Sequence, residues 1–435
     1  MTTAPLNIAI AGLGTVGAET ARQVLDHADH IASRAGRVLT LTAVLARDAS
    51  RDRGFSMDGI AFEQDPVALA HRDDVDIVIE LIGGDDGPAL DLIEAALKNG
   101  KSVVTANKAL LAKHGARLAV LAESKGVHLA GEASVAGGIP SLKMLREGLA
   151  ANRISRISGI LNGTCNYILS TMEATGRDFE DVLKEAQDLG YAEADPSFDV
   201  DGIDAAHKLA LLTSIGFGSL PDFDAIDITG IRSVSSIDIN SAANIGYAIR
   251  LLAIAENRDG NIVASVQPTM VPLSSGLAKV DGPLNAVAVE GQPIGSVIAV
   301  GPGAGAGATA SAVLADLVEV AAGRAAPFFG CAADQLKPAS NNGSADYTAR
   351  FYLRLTVYDR PGVLADVTAV LRDHHVSVES ILQQGRAAEG GNGTVPVVLT
   401  THDINNSEMT AAIREIKSLD AVTAEPTVMI ISGEG

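Results

Sequence analysis

Residues 186–208, AQDLGYAEADPSFDVDGIDAAHK, carry Glu193, Asp195, Asp199, Asp201 and Asp204 and close on one ammonium, Lys208. An ammonium held among carboxylates keeps its proton, because nearby opposite charge favours the charged form. Such a group can hydrogen-bond a substrate oxygen and hand it a proton. Asp204 and Lys208 stand four apart, so a helix beginning near Asp201 puts them on one face. Pro196 and Gly202 punctuate the run and make 193–199 a loop before that helix. An acidic surface loop with one helical ion pair has the same local pattern. Asp199-Val200-Asp201-Gly202 hints at a calcium loop, but no Glu falls at its twelfth position.

These side chains need a frame, and the N-terminal 130 residues supply one half of it. The apolar run 7–11 leads into Gly12-Leu13-Gly14-Thr15-Val16-Gly17 and then a helical stretch to about Leu25. Strand, G-x-G-x-x-G and helix in that order predict a doubly wound, Rossmann-type α/β unit that cradles a pyrophosphate. The second strand is expected at 38–45. Arg47 follows it and suits a 2′-phosphate, favouring NADP; Asp48 keeps NAD open. A third strand is expected at 75–82, a helix at 88–98 and a short strand at 101–105. Lys108 then sits at a strand's carboxyl end, where open α/β sheets bind ligands. A solvated lysine at a helix start is the plainer reading, but a helix N-terminus disfavours a cation.

The second half, 131–304, reads as an α+β domain. Glu132 is isolated in apolar surroundings and needs a partner or a cation. Asn162-Gly163 suits a turn between a strand and a helix. Cys165 beside it could suggest thiol catalysis, yet no histidine lies close in sequence, and a small buried hydrophobe is the simpler reading. An amphipathic helix is expected from 204 to about 216 and another over 241–255, with strands and turns over 262–300. The glycine-rich run 301–309, including Gly303, reads as a second backbone against the dinucleotide. A helix is expected after it.

Residues 331–349 are polar and read as a linker. Beyond it the order βαββαβ over 350–435 predicts a ferredoxin-like module. At net charge −20, nucleic acid and anionic membrane are poor partners. Two distant cysteines make no disulfide framework and, with no leader or apolar span of about 18 residues, place the protein in the cytoplasm.

The stretch 186–208 resembles the signature of the homoserine dehydrogenases, through Ala186, Gly190, Tyr191, Asp195-Pro196, Asp199-Val200, Gly202, Asp204 and Lys208 at fixed spacing. Thr105-Ala106-Asn107-Lys108 and Asn162-Gly163-Thr164 are similar to two further motifs of that family, and Phe351 to Leu364 resembles the ACT domain. The resemblance implies reduction of L-aspartate 4-semialdehyde to L-homoserine with NAD(P)H, by a monofunctional member with no kinase module before residue 7. It implies Lys208 as the acid, Lys108 between nicotinamide and substrate, Asp204 orienting Lys208, and Glu193 and Asp199 on the substrate. It implies substrate binding and dimerisation for 131–304, and that the helix after the glycine-rich run returns to complete the first domain over about 305–330. It further implies a monovalent cation such as Na+ on Glu132 and the carbonyls of Val135, Gly137 and Ile139. An amino-acid effector, usually L-threonine, would meet the ACT turn at Asp359, Gly362 and Val363, in a homodimer or homotetramer. The rival readings are a cysteine-dependent semialdehyde dehydrogenase and a non-catalytic amino-acid sensor.

Overall fold

The computed structural model describes residues 4–339, 347–383 and 393–433. Residues 340–346 of the expected linker, and all but the last residue of a glycine-rich gap expected at 385–393, lie outside them.

The apolar N-terminal run forms the strand Leu6–Ala11, fully buried from Ile8 onward. It lies at the centre of a six-stranded parallel sheet in the order 61–63, 39–45, 6–11, 77–80, 102–105, 129–130. Strand order reverses between Leu6–Ala11 and Ile77–Glu80, which opens a crevice at their carboxyl ends. The short strand Ala61–Glu63 and the helix Pro66–His71 were not anticipated. Helices Pro88–Lys98 and Lys108–Lys125 cover one face of this sheet. Helices Thr15–Asp26 and Ala306–Ala321 cover the other, where Ala21 and Val24 share a core with Val313 and Leu317.

The second sheet runs in the order 295–302, 284–292, 153–160, 247–258, 261–272, 427–431, 348–358, 394–401, 378–383. Its first five strands belong to the substrate half, and its last four to the βαββαβ module. They join where Thr269 and Met270 pair in parallel with Ile430 and Ile431. The βαββαβ module therefore continues the second sheet of the larger half rather than hanging from it.

Three expectations are corrected. The stretch 241–255 is not one helix: the helix Ser236–Asn244 ends and Tyr247–Arg258 is a strand. That segment is apolar on both faces because it lies in mid-sheet, so helix and strand periods could not be told apart. The helix Ile203–Phe217 is not amphipathic, because it is buried on nearly every side. It packs against helix Lys108–Lys125 and against strands of the second sheet, at the junction of the two halves. The last strand is Thr427–Ile431, shorter than 421–431. Among the described residues no helix is long and apolar enough to cross a membrane.

Candidate active site

Gly202, in left-handed backbone at φ 87°, turns the chain into the helix Ile203–Phe217. Asp204 and Lys208 then fall one turn apart, both more than nine-tenths buried. Lys208 Nζ donates to Asp204 Oδ2 at 2.7 Å and to the Leu161 carbonyl at 2.7 Å. An ammonium has three donors, so one remains for a ligand. The other carboxylate oxygen, Asp204 Oδ1, lies 3.1 Å from Lys108 Nζ. One buried carboxylate thus bridges the two lysines that stand far apart in sequence. Burial opposes ionisation of Asp204, but Lys208 and then Lys108 overcome it and hold its carboxyl well below the usual carboxylate range.

Lys108 is the first residue of its helix, and Asn107 caps it by accepting from Leu110 N at 3.2 Å. Asn107 Nδ2 also donates to the Gly84 carbonyl at 2.6 Å. The Lys108 ammonium lies 5.7 Å from the centroid of the Phe198 ring. Phe198 in turn stacks on His207, which stacks on Phe223. The unfavourable helix dipole at Lys108 is offset by its ion pair with Asp204.

Asp199 stands on a short helix, Ser197–Val200, where a loop was expected. It accepts from Asn162 Nδ2 at 2.7 Å and lies 3.4 Å from Thr164 Oγ1. Burial pushes its carboxyl up from the ordinary value. Of the other acidic residues, Asp201 pairs with Arg232 and Asp195 caps Ser197. Glu193 is exposed, and its side chain makes no ion pair among the described residues. Cys165 is fully buried, and its thiol donates to the Asp199 carbonyl at 3.2 Å. Burial, then Asp199 and Asp204, raises that thiol well above its ordinary value, the opposite of an activated nucleophile.

The glycine turn fits a dinucleotide. Gly12 has φ 95°, and a Cβ there would stand 2.3 Å from the Leu81 carbonyl oxygen. A Cβ on Gly17 would stand 1.8 Å from the Gly12 oxygen, whereas one on Gly14 would meet nothing within 4 Å. Two glycines therefore close the turn, and the third faces open space in front of a helix with no side-chain N-cap. Leu13 is buried, Val16 half-buried and Thr15 exposed on that rim. Buried Glu80, which the sequence did not single out, ties the crevice by accepting from Ile82 N, Gly83 N and Thr105 Oγ1. Arg47 is exposed with no ion pair among the described residues, while the Asp48 carboxylate is turned onto Ser50. Gly303 meets the protein itself: its missing side chain leaves the room that buried Asn285 fills, and a Cβ on Gly137 would strike the Gly303 carbonyl.

Glu132 is buried, and its oxygens accept from Leu142 N and Lys143 N at 2.9 Å. Asp316, from the returning helix, accepts from Glu132 N at 2.7 Å and pairs with Lys143 at 3.2 Å. Burial first, and Asp316 second, push the Glu132 carboxyl up to about 7. The Val135 and Ile139 carbonyls accept from Ser141. Among the described residues no group of three or more His, Cys, Asp or Glu could hold a metal.

A parallel sheet whose glycine turn fits a dinucleotide, and a buried carboxylate shared by two ammonium groups, point to a class: a nicotinamide-dependent oxidoreductase. The family descriptions "Homoserine dehydrogenase, NAD binding domain", "Homoserine dehydrogenase" and "ACT domain" match residues 12–132, 140–318 and 351–419. Homoserine dehydrogenases of Neisseria gonorrhoeae and Pseudomonas aeruginosa are each 42% identical over 98% of both chains. The crystal structure of one from Thiobacillus denitrificans superimposes with TM-score 0.91 at 40% identity, over 99% of each chain. A hyperthermophilic archaeal homoserine dehydrogenase in complex with NADPH is 28% identical with TM-score 0.63, covering 73% of this chain and 97% of its own. The chain belongs to the homoserine dehydrogenase family, and its activity is the nicotinamide-dependent interconversion of L-aspartate 4-semialdehyde and L-homoserine.

Proposed function

We propose that Lys208 is the proton donor to the aldehyde oxygen of L-aspartate 4-semialdehyde and, in the reverse direction, takes the proton from the L-homoserine hydroxyl. The observation that carries this is Asp204, buried and shared between Lys208 at 2.7 Å and Lys108 at 3.1 Å. A bound reduced nicotinamide supplies the hydride. As charge develops on the carbonyl oxygen, the two ammonium groups oppose it, already oriented and partly dehydrated. Asp204 orients both lysines, Lys108 aligns cofactor and substrate, and Asp199 and exposed Glu193 receive the substrate's ammonium group.

The cofactor is cradled by Gly12, Leu13, Gly14, Thr15, Val16 and Gly17, with Lys108 and Gly303 on the nicotinamide side. NADP is preferred, because Arg47, with no ion pair among the described residues, follows the second strand where a 2′-phosphate would lie, and Asp48 is engaged with Ser50. Glu132 with the carbonyls of Val135, Gly137 and Ile139 binds a monovalent cation. Residues 1–130, completed by about 305–330, form the cofactor domain; 131–304 bind substrate and dimerise; 350–435 regulate. Exposed Leu273, Leu284, Ile294, Ile298 and Val300 around the end of the second sheet support a homodimeric or homotetrameric face. In the ACT module Gly362, at φ 98°, opens the helix Val363–Asp373 without a side-chain cap, and supports binding of an amino-acid carboxylate such as that of L-threonine beside Asp359 and Val363.

The test is absorbance at 340 nm with L-homoserine and NAD or NADP, with and without L-threonine. Faster reduction of NADP, and slowing by threonine, are expected. Preference for NAD would sink the role given to Arg47, and indifference to threonine would sink the effector.

A further inference from the structure

We propose that Asn162 is a positioning residue for the reaction: its amide is a fork that holds Asp199 and Asp204 side by side and fixes how Asp204 is shared between the two lysines. This rests on Lys208 as the proton donor. Asn162 precedes the helix Gly163–Thr175, is nearly fully buried, and caps that helix by accepting from Cys165 N at 2.8 Å. A backbone N–H must face an acceptor, so this bond sets which end of the amide is oxygen. The NH2 end then points at the acidic pair. One contact goes to Asp199 Oδ1 at 2.7 Å and the other to Asp204 Oδ2 at 2.8 Å. Two donors meet two anionic acceptors, and charge-assisted bonds of this kind are roughly twice as strong as neutral ones.

The fork solves a problem that the lysines alone do not. Asp199 and Asp204 come from different helices and repel each other. Left to itself, Asp199 could compete for Lys208. Asn162 ties Asp199 down and gives Asp204 Oδ2, which also accepts from Lys208, a second donor. That fixes the rotation of the Asp204 carboxylate, leaving Oδ2 for Lys208 and Oδ1 for Lys108. The titratable groups packed around this network are Lys108 on its helix, Asp199 and Asp201 on the acidic stretch, Asp204, His207 and Lys208 on Ile203–Phe217, and Cys165 on Gly163–Thr175. The same Asn-Gly that reads in the sequence as a turn thus carries the wiring of the site.

Capping and forking can be separated by substitution. Asn162→Asp keeps a good N-cap and nearly the same shape, but turns the NH2 into a third carboxylate oxygen facing Asp199 and Asp204. Asn162→Ser also caps but is too short to fork. Full-length variants would be compared by kcat and KM for L-homoserine, the pH profile of kcat/KM, the Kd for NADPH by fluorescence, and the melting temperature. The expected result for Asn162→Asp is a fall in kcat of about 10²-fold, and for Asn162→Ser about tenfold, as for misplaced reacting groups. The acid limb of the profile should move to higher pH in both, with NADPH affinity within about twofold of the parent. Parent-like kcat with an unmoved acid limb in either folded variant would overturn the proposal. So would a kcat loss that only follows the melting temperature. Lys208→Ala, run alongside, separates the two levels: if it keeps turnover, the proton-donor reading fails; if it is inactive and the Asn162 variants are normal, only the fork fails.

Discussion

Arg354, on a strand of the ACT module, donates through Nε to Asp238 Oδ1 of the substrate domain at 2.7 Å, and that carboxylate is fully buried. The same oxygen accepts from Tyr352 OH at 2.8 Å. The other oxygen accepts from Ser235 N and Oγ in the capping box of helix Ser236–Asn244. Arg354 also donates to the Ser233 carbonyl at 3.0 Å. Two residues upstream, Ile231 N bonds the Val200 carbonyl, immediately beside Asp199, and Gly230 has no room for a side chain against it.

Removing one partner of a buried ion pair leaves the other uncompensated. Arg354→Ala is therefore expected to cost about 3–5 kcal/mol, read as a lower urea midpoint. Because segment 230–235 touches both the module and the acidic stretch, the milder Arg354→Lys should weaken any effect of an ACT ligand on kcat more than it lowers kcat itself. A variant as stable as the parent, with ligand response intact, would remove this contact from the regulatory route.

Turnover is the readout for Lys208. Lys208→Ala removes the proposed proton donor and should lower kcat by about 10²–10⁴-fold, the usual worth of a positioned acid. NADPH binding, measured by fluorescence titration, should stay unchanged, because Lys208 lies in the substrate half. Parent-like turnover would sink the assignment.

What the sequence made legible was local. Strand, glycine turn and helix announce a dinucleotide cradle within about twenty residues, and a spacing of four puts Asp204 under Lys208. The partnerships of the site are not local. Lys108 reaches Asp204 only because two helices from distant parts of the chain pack together, and Asn162, Glu80, Asp238 and Asp316 each have a partner at least 25 residues away. No periodicity encodes such contacts. The strand Tyr247–Arg258 was misread for a related reason: a segment buried on both faces shows no period.

Cys165 separates this chemistry from thiol catalysis. Its fully buried, strongly protonated thiol should resist iodoacetamide while the protein is folded, and peptide mapping should find label on half-buried Cys331 alone. Activity should survive the treatment, and Cys165→Ser should keep turnover within about threefold, since the change is small and the partner is a carbonyl. Inactivation that tracks labelling of Cys165 would revive the thiol reading.

Glu132 gives a test by pH. Its carboxyl stands at about 7 in the folded protein against an ordinary value of 4.5, so folding favours the protonated form. The stability it contributes is complete below pH 4.5 and is lost as pH rises through 7, by an amount on the order of 3 kcal/mol. Asp316, also raised by burial, acts in the same direction, while Lys143 and Arg146 oppose it. A monovalent cation at Glu132 and the nearby carbonyls would favour the charged form and restore that stability. The melting temperature should therefore rise with Na+ at pH 8 but not at pH 5, compared with a bulky organic cation at equal ionic strength. In Glu132→Gln the Na+ effect should vanish. Equal melting temperatures in the two salts at pH 8 would leave the carboxylate as a cap for Leu142 and Lys143 and nothing more.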